Sequence, residues 1–243
     1  MEVTEFFYIA SFIIRMKKIT TLITGLFLSM MSVVAQTVFS PNYSLKSHET
    51  LVIQKIELKS DETVFYMGVE NRITGGSFCA DKNIYILYPD GKKSRLVSSS
   101  GIPVCPESYK FSAPGEKLEF VLTFPPLKAG TRWVDLIEDC KDNCFSFYGI
   151  LLDNALNERI NNAFTMADTK EYSKALNAFT TVLESINEAH SGIEGLLYIN
   201  IIKLAIETGD DRKAEEWYGK FRVSGAPRLS VYLKYLNDQG IRY

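Results

Sequence analysis

Four cysteines, two histidines and several acidic pairs are the residues of this 243-residue chain whose types and spacing bear on chemistry. Of the cysteines, only Cys140 and Cys144 stand close together, and His48 and His190 lie far from both. A structural zinc site needs tightly spaced soft ligands, commonly with a histidine, so a metal is not expected. An even cysteine count in an exported chain favours disulfides over free thiols, with three connectivities open. Lys141-Asp142-Asn143 reads as a turn between two strands, which lets Cys140 and Cys144 approach within the roughly 4.4–6.8 Å that a bridge requires. Cys79 and Cys105 then pair by elimination.

Catalytic constellations fail residue by residue. His48-Glu49-Thr50-Leu51-Val52 opens like a zinc-protease motif but lacks the second histidine of the clamp. No serine sits in Gly-x-Ser-x-Gly, and Gly91-Lys92 and Gly219-Lys220 lack the upstream glycine of a phosphate-cradling loop. Cysteine catalysis would pair a thiolate with an imidazole, and bridging is the better use of all four cysteines. Asp135 and Glu138 lie three apart on one strand and so point to opposite faces, which argues against joint acid–base work. Glu138 reads as a structural hydrogen-bonding residue. Asp210, Asp211, Glu215 and Glu216 read as a helix cap and a solvated helix face. No catalytic residue and no cofactor is expected, and the chain reads as a non-enzyme.

Export is read from the N-terminus. Residues 16–35 carry Met16-Lys17-Lys18, an uncharged run over 19–34, and Ala35 at the cut with Val33 two before it, the three parts of a secretory signal. A spanning helix needs about 20 strongly apolar residues, and this run is shorter and diluted by threonines and serines. Residues 1–15 are set aside as an upstream extension. No cysteine follows the cut, which disfavours a lipid anchor. The mature chain, 36–243, has 24 basic and 27 acidic residues, a net charge of −3. So mild a balance gives no footprint for nucleic acid or an anionic membrane.

Two hydrophobic periods divide the mature chain. Over 36–153, Leu118, Phe120, Leu122 and Phe124 alternate with Glu119, Val121 and Thr123, the period of a half-buried strand. Further strands are expected at 51–58, 63–70, 83–88, 95–98, 132–137 and 144–152, separated by turns such as Pro89-Asp90-Gly91 and Ala113-Pro114-Gly115. Seven short strands without intervening helices predict an antiparallel β-sandwich. From 154 to 243 the period becomes helical. Leu156, Ile160, Ala163, Phe164 and Ala167 share one face, and further helices are expected at 172–186, 195–208, after Asp210 or Asp211, and at 228–236 behind Pro227. The fold class is α+β in two domains, a sandwich followed by helical hairpins.

Lys170-Glu171-Tyr172-Ser173-Lys174-Ala175-Leu176-Asn177-Ala178-Phe179 resembles the turn and second helix of a tetratricopeptide repeat. So does Gly209-Asp210-Asp211-Arg212-Lys213-Ala214-Glu215-Glu216-Trp217-Tyr218. A turn leads to a small alanine that allows close helix approach, then to an aromatic four residues on. Tyr198 and Ala205 sit where the family places large and small residues of its first helix, whereas Arg159 stands where an aromatic is favoured. Ala175 and Ala214 are 39 apart rather than the usual 34, implying a longer connection near 190–192. An ordinary helical hairpin bundle is the alternative. Leu118–Leu127, Trp133–Glu138 and Phe145–Ile150 look like uncharacterised sandwich domains of proteins exported by Gram-negative Bacteroidota, which implies a periplasmic, extracellular or cell-envelope location.

The function expected is a non-enzymatic scaffold or interaction protein, with a protein or peptide partner held by the helical half. In the register of the repeat family, Leu196, Ile199, Asn200, Lys203 and Ile206 line an inner groove, and Asn161 is the first-unit equivalent of Asn200. An apolar wall with one cation and two amides suits an extended or helical peptide carrying an acidic group. The same apolar positions also suit packing on the sandwich or the last helix. Two alternatives remain: a glycan-binding module using strand aromatics such as Tyr85, Tyr88, Trp133, Phe145, Phe147 and Tyr148, and a hydrolase with an unfamiliar site. After signal cleavage no stable membrane insertion is expected.

Overall fold

The computed structural model describes residues 36–186 and 192–243, so the expected signal (16–35), the extension before it and His190 lie outside the described residues. Two sheets of opposite exposure organise the first half. One has the order β1-β3-β4-β10-β8, from β1 (Gln36–Phe39), β3 (Leu51–Leu58), β4 (Thr63–Glu70), β10 (Lys117–Phe124) and β8 (Ser98–Ser100). The other has the order β2-β12-β11-β6-β7, from β2 (Leu45–Lys46), β12 (Ser146–Leu151), β11 (Trp133–Glu138), β6 (Ile84–Leu87) and β7 (Lys93–Arg95). β5 (Ser77–Phe78) and β9 (Tyr109–Lys110) pair apart from both. Neighbouring strands in these sheets are antiparallel. Phe65, Met67, Phe120 and Phe124 from the first sheet share one apolar core with Ile84, Ile86, Leu136 and Phe147 from the second.

Burial along the strands shows what covers each sheet. β10 alternates buried and open positions, Leu118 and Phe120 against Glu119, because its outer face meets solvent. β11 and β12 are closed almost throughout, because the helices cover the face turned away from the core. Leu151 accordingly belongs to the helical core, while its neighbour Leu152 belongs to the sheet core. The expected strand at 95–98 divides in two. Leu96 N–H donates to Ile84 O in the second sheet at 2.9 Å and Val97 N–H to Thr123 O beside the first at 2.8 Å. The chain crosses between sheets there, so β7 and β8 end up in different ones.

Five helices follow among the described residues: α1 (Asn154–Asp168), α2 (Tyr172–Ser185), α3 (Glu194–Glu207), α4 (Asp211–Arg222) and α5 (Leu229–Asp238). Asp153 caps α1 by accepting from Leu156 N–H at 3.0 Å, and Asp210 caps α4 by accepting from Lys213 N–H at 3.0 Å. Ala163, Ala175, Ala205 and Ala214 are fully buried where successive helices meet. None of the described helices is long and apolar enough to cross a membrane. The architecture is therefore mixed α+β, with strands first and helices after 153, and both cores belong to one compact unit.

Candidate functional site

One face of α1 holds Asn42, in the segment between β1 and β2. Asn157, 3 % exposed, accepts from Asn42 N–H at 2.8 Å and from the Asn42 side-chain amide at 2.9 Å. Its own amide donates to Leu151 O at 3.0 Å, and Leu151 N–H donates to Asn42 O at 2.8 Å. Asn161 Oδ1, one turn on, accepts from the Asn42 amide at 2.9 Å. Both backbone groups of Asn42 are thus satisfied, outside any strand, by this clamp. Asn157 was not among the groove candidates. The signal that could have found it is its i, i+4 spacing from Asn161 on a helix face.

Beyond the clamp, Phe164 and Leu196 face Pro41, Asn42, Tyr43, Val52 and Ile53 across an open cleft of about 390 Å³. Leu196, Ile199 and Ile206 are half-buried against the helical core, so packing takes part of their apolar surface. The Asn200 amide donates to Leu196 O at 2.8 Å, one turn back. Lys203 is exposed, its amine 3.4 Å from the Tyr235 hydroxyl and 5.8 Å from that ring's centre. The structure therefore brings Asn161 and Leu196 to the segment 40–43 and places Lys203 beside α5. Arg159 does not reach the segment. It donates to Ser185 Oγ at 3.0 Å and Thr181 O at 3.4 Å, tying α1 to α2.

A second polar cluster lies in the seam between β11 and α5. Asp135 is 2 % exposed, accepts from Gly149 N–H at 2.7 Å and forms an ion pair with Arg228. Gly149 occupies a bulge in β12, where the register slips between Val134 and Leu136, and its φ of +62° suits glycine. A side chain there would also collide with the Gly192 carbonyl. That carbonyl accepts from Ser44 Oγ. The Arg228 guanidinium lies 4.2 Å from the centre of the Tyr148 ring. Tyr232 on α5 is 1 % exposed and pairs with Ser44, and burial pushes its hydroxyl up to about 12. Burial likewise holds Asp135 above the usual carboxylate range, outweighing the Gly149 N–H and the Arg228 charge.

At the other end of β11 a cleft of about 1090 Å³ is lined by His48, Phe78, Asp81, Glu138, Asp142 and both disulfides. Cys79 bonds Cys105 and Cys140 bonds Cys144, with Cα separations of 5.3 and 5.5 Å. Glu138 lines the cleft, yet its two oxygens accept from Asp81 N–H at 2.7 Å and Phe145 N–H at 2.9 Å, which commits them to the backbone. Burial raises Glu138, against those two N–H bonds. Among the described residues no cluster of three His, Cys, Asp or Glu side chains is placed to hold a metal ion.

The aromatics that suggested a glycan platform form no open row. Tyr88, Trp133, Phe145 and Phe147 are buried. Tyr85 has the Lys93 amine 3.9 Å from its ring centre, and Tyr148 lies under Arg228. No protein-family model matches the chain, and no match is found among curated proteins or solved structures.

Proposed function

We propose that the chain is an exported, non-enzymatic interaction protein of a Gram-negative envelope, in which a β-sandwich braces tetratricopeptide-like helical hairpins that hold an extended peptide. The observation that carries this reading is the Asn42 clamp, in which Asn157 of α1 accepts from the Asn42 backbone N–H and Asn161 from its side-chain amide, while Leu151 N–H of β12 donates to its carbonyl. Asn200 stands on α3 at the 39-residue repeat distance from Asn161, with Lys203 one turn beyond. A bound strand would run on from the 40–43 segment along Leu196, Ile199 and Asn200, with an acidic group at Lys203.

The repeat reading draws support from paired details. Ala175 and Ala214 are both fully buried, and Tyr198 stacks on Phe221 at 4.7 Å in the second unit, where Arg159 bonds α2 in the first. Export draws support from two disulfides, which persist in oxidising compartments. Cleavage after Ala35 would keep the described β1 pairing, Gln36 opposite Leu58 through Phe39 opposite Lys55, in the mature chain. Mass spectrometry of the native protein should find Gln36, or its cyclised form, at the N-terminus.

The test of binding is selection of displayed random peptides on residues 36–243, followed by affinity measurement. Enriched peptides should share a carboxylate. Lys203→Glu and Asn200→Ala should each weaken them about tenfold, a loss of about 1.4 kcal/mol, with thermal stability unchanged. Selection that enriches nothing, or peptides that bind both variants as well as the parent, would defeat the proposal. A melting temperature lowered by several degrees in both variants would instead assign these positions to packing.

A further inference from the structure

Arg228 adopts a backbone conformation that its residue type disfavours. Its φ of +59° and ψ of +28° lie in the left-handed region, where a Cβ crowds the carbonyl. Glycine or asparagine would fill the position with less strain. The arginine side chain is what the position gains: it is the partner of the buried Asp135, 93 residues earlier, and it covers Tyr148. A strained residue persists where its surroundings over-determine it. Here the surroundings are the β12 bulge, the Asp135 carboxylate and the first turn of α5.

We propose that Asp135 and Arg228 form a latch by which the sheets position α5, and through Tyr235 of α5 the Lys203 amine of the inner face. Arg228 is the N-cap of α5, with Val231 N–H donating to its carbonyl at 3.0 Å, so holding its guanidinium fixes where the helix starts. One turn on, Tyr232 lies against Gly195 at the start of α3 and pairs with Ser44 from the sheets, so the helix is fixed in rotation as well. Tyr235 follows three residues later, on an exposed part of the same helix, and meets Lys203. α5 buries Tyr232 and Leu236, with Leu229 and Leu233 half-buried against the helical core, whereas each of α1–α4 buries four or more residues, so its placement depends on the latch more than theirs does. Asp135 and Arg228 are positioning residues, since neither touches the inner face. The part of this inference that concerns Lys203 rests on the peptide-binding reading; the part that concerns α5 does not.

Hydrogen exchange on residues 36–243 tests the latch without any ligand. Arg228→Gly keeps the left-handed backbone and removes the guanidinium, and Asp135→Asn removes the charge it answers. Each should speed exchange of the α5 amides at least about tenfold, with amides of β3, β4 and α2 unchanged, and the double variant should be no faster than the quicker single one. Unchanged α5 exchange in Arg228→Gly, or single effects that multiply in the double variant, would overturn the latch. Should Asp135→Asn fail to fold, Arg228→Gly and Arg228→Lys still decide the matter, the lysine restoring part of the protection only if charge holds the helix. A peptide with one carboxylate and its carboxamide counterpart test the second part. The latch variants should bring their affinity ratio toward one without weakening the carboxamide form; a ratio equal to the parent's would overturn the link to Lys203. If the parent binds neither peptide, the binding reading fails while the exchange result stands.

Discussion

Asp135 and Glu138 are buried carboxylates three residues apart on β11, and their surroundings differ in one respect. Glu138 is answered locally, by N–H groups of Asp81 and Phe145 at the disulfide-bridged end. Asp135 is answered from afar, by Arg228 across the seam to the helices. Strand parity sends Glu138 to the side of Val134 and Leu136 and Asp135 to the side of Trp133. One face of β11 therefore closes the sheet core, and the other joins the two halves. A buried carboxylate at the first end secures a turn; at the second it joins two parts of the fold.

That contrast can be broken experimentally, and the largest effect should come from the seam. Asp135→Ala leaves Arg228 without its partner in a largely enclosed site, and urea denaturation should register a loss of about 3–5 kcal/mol. Pairing it with Arg228→Met should recover much of that loss; strictly additive losses would mean the two residues act separately. At the bridged end, replacing Cys79 and Cys105 with serine should cost about 3.5 kcal/mol from the long loop they close. The same change at Cys140 and Cys144 should cost about 2 kcal/mol, because the loop is short. Glu138→Gln keeps one acceptor and loses the other, so about 1–3 kcal/mol is expected from a buried N–H without a partner. A cost at Glu138 exceeding that at Asp135 would invert the comparison.

The smallest effect concerns pH. Asp135 and Glu138 are both raised by burial, so the folded chain binds their protons before the unfolded chain does as pH falls. Stability from these two groups therefore rises as pH drops through their folded values and is complete below the ordinary carboxylate range. Half-buried Glu57 and Glu116 and exposed Glu171 are lowered by hydrogen bonds from Lys55, Tyr109 and Lys174 and act in the opposite sense. Subtracting the stability curve of Asp135→Asn from that of the parent isolates one group. The difference should move in favour of the parent between pH 7 and 4, and a difference moving the other way would show that the Arg228 charge outweighs burial.

Much of the fold was legible because it is written in short-range patterns. The alternation through Leu118 and Phe124 gave β10, and β3 and β4 fall on the ranges that the apolar runs marked. Asp210 and the spacing of the apolar residues marked the helices, since capping and periodicity act within a turn or two; Asp153, which caps α1, was read only as lying at the change of period. The short strands β1, β2, β5 and β9 carry too few residues to show a period. The crossing at Leu96-Val97 left no mark because consecutive N–H groups bond to different sheets, a choice made by distant strands. Asn157 was passed over because asparagine within a helix ordinarily faces solvent, and only the return of the 40–43 segment makes it a clamp.

By itself, the sequence determined the order of strands and helices, the change of period near 153, and the turn that lets Cys140 reach Cys144, since each depends on residues a few positions apart. Tertiary structure decided which face of β11 the helices cover, that Arg228 answers Asp135, and that α1 holds Asn42. Those contacts join positions 93 to 119 residues apart. Local propensity is blind to such pairings, because their free energy arises only once packing has excluded water from both partners.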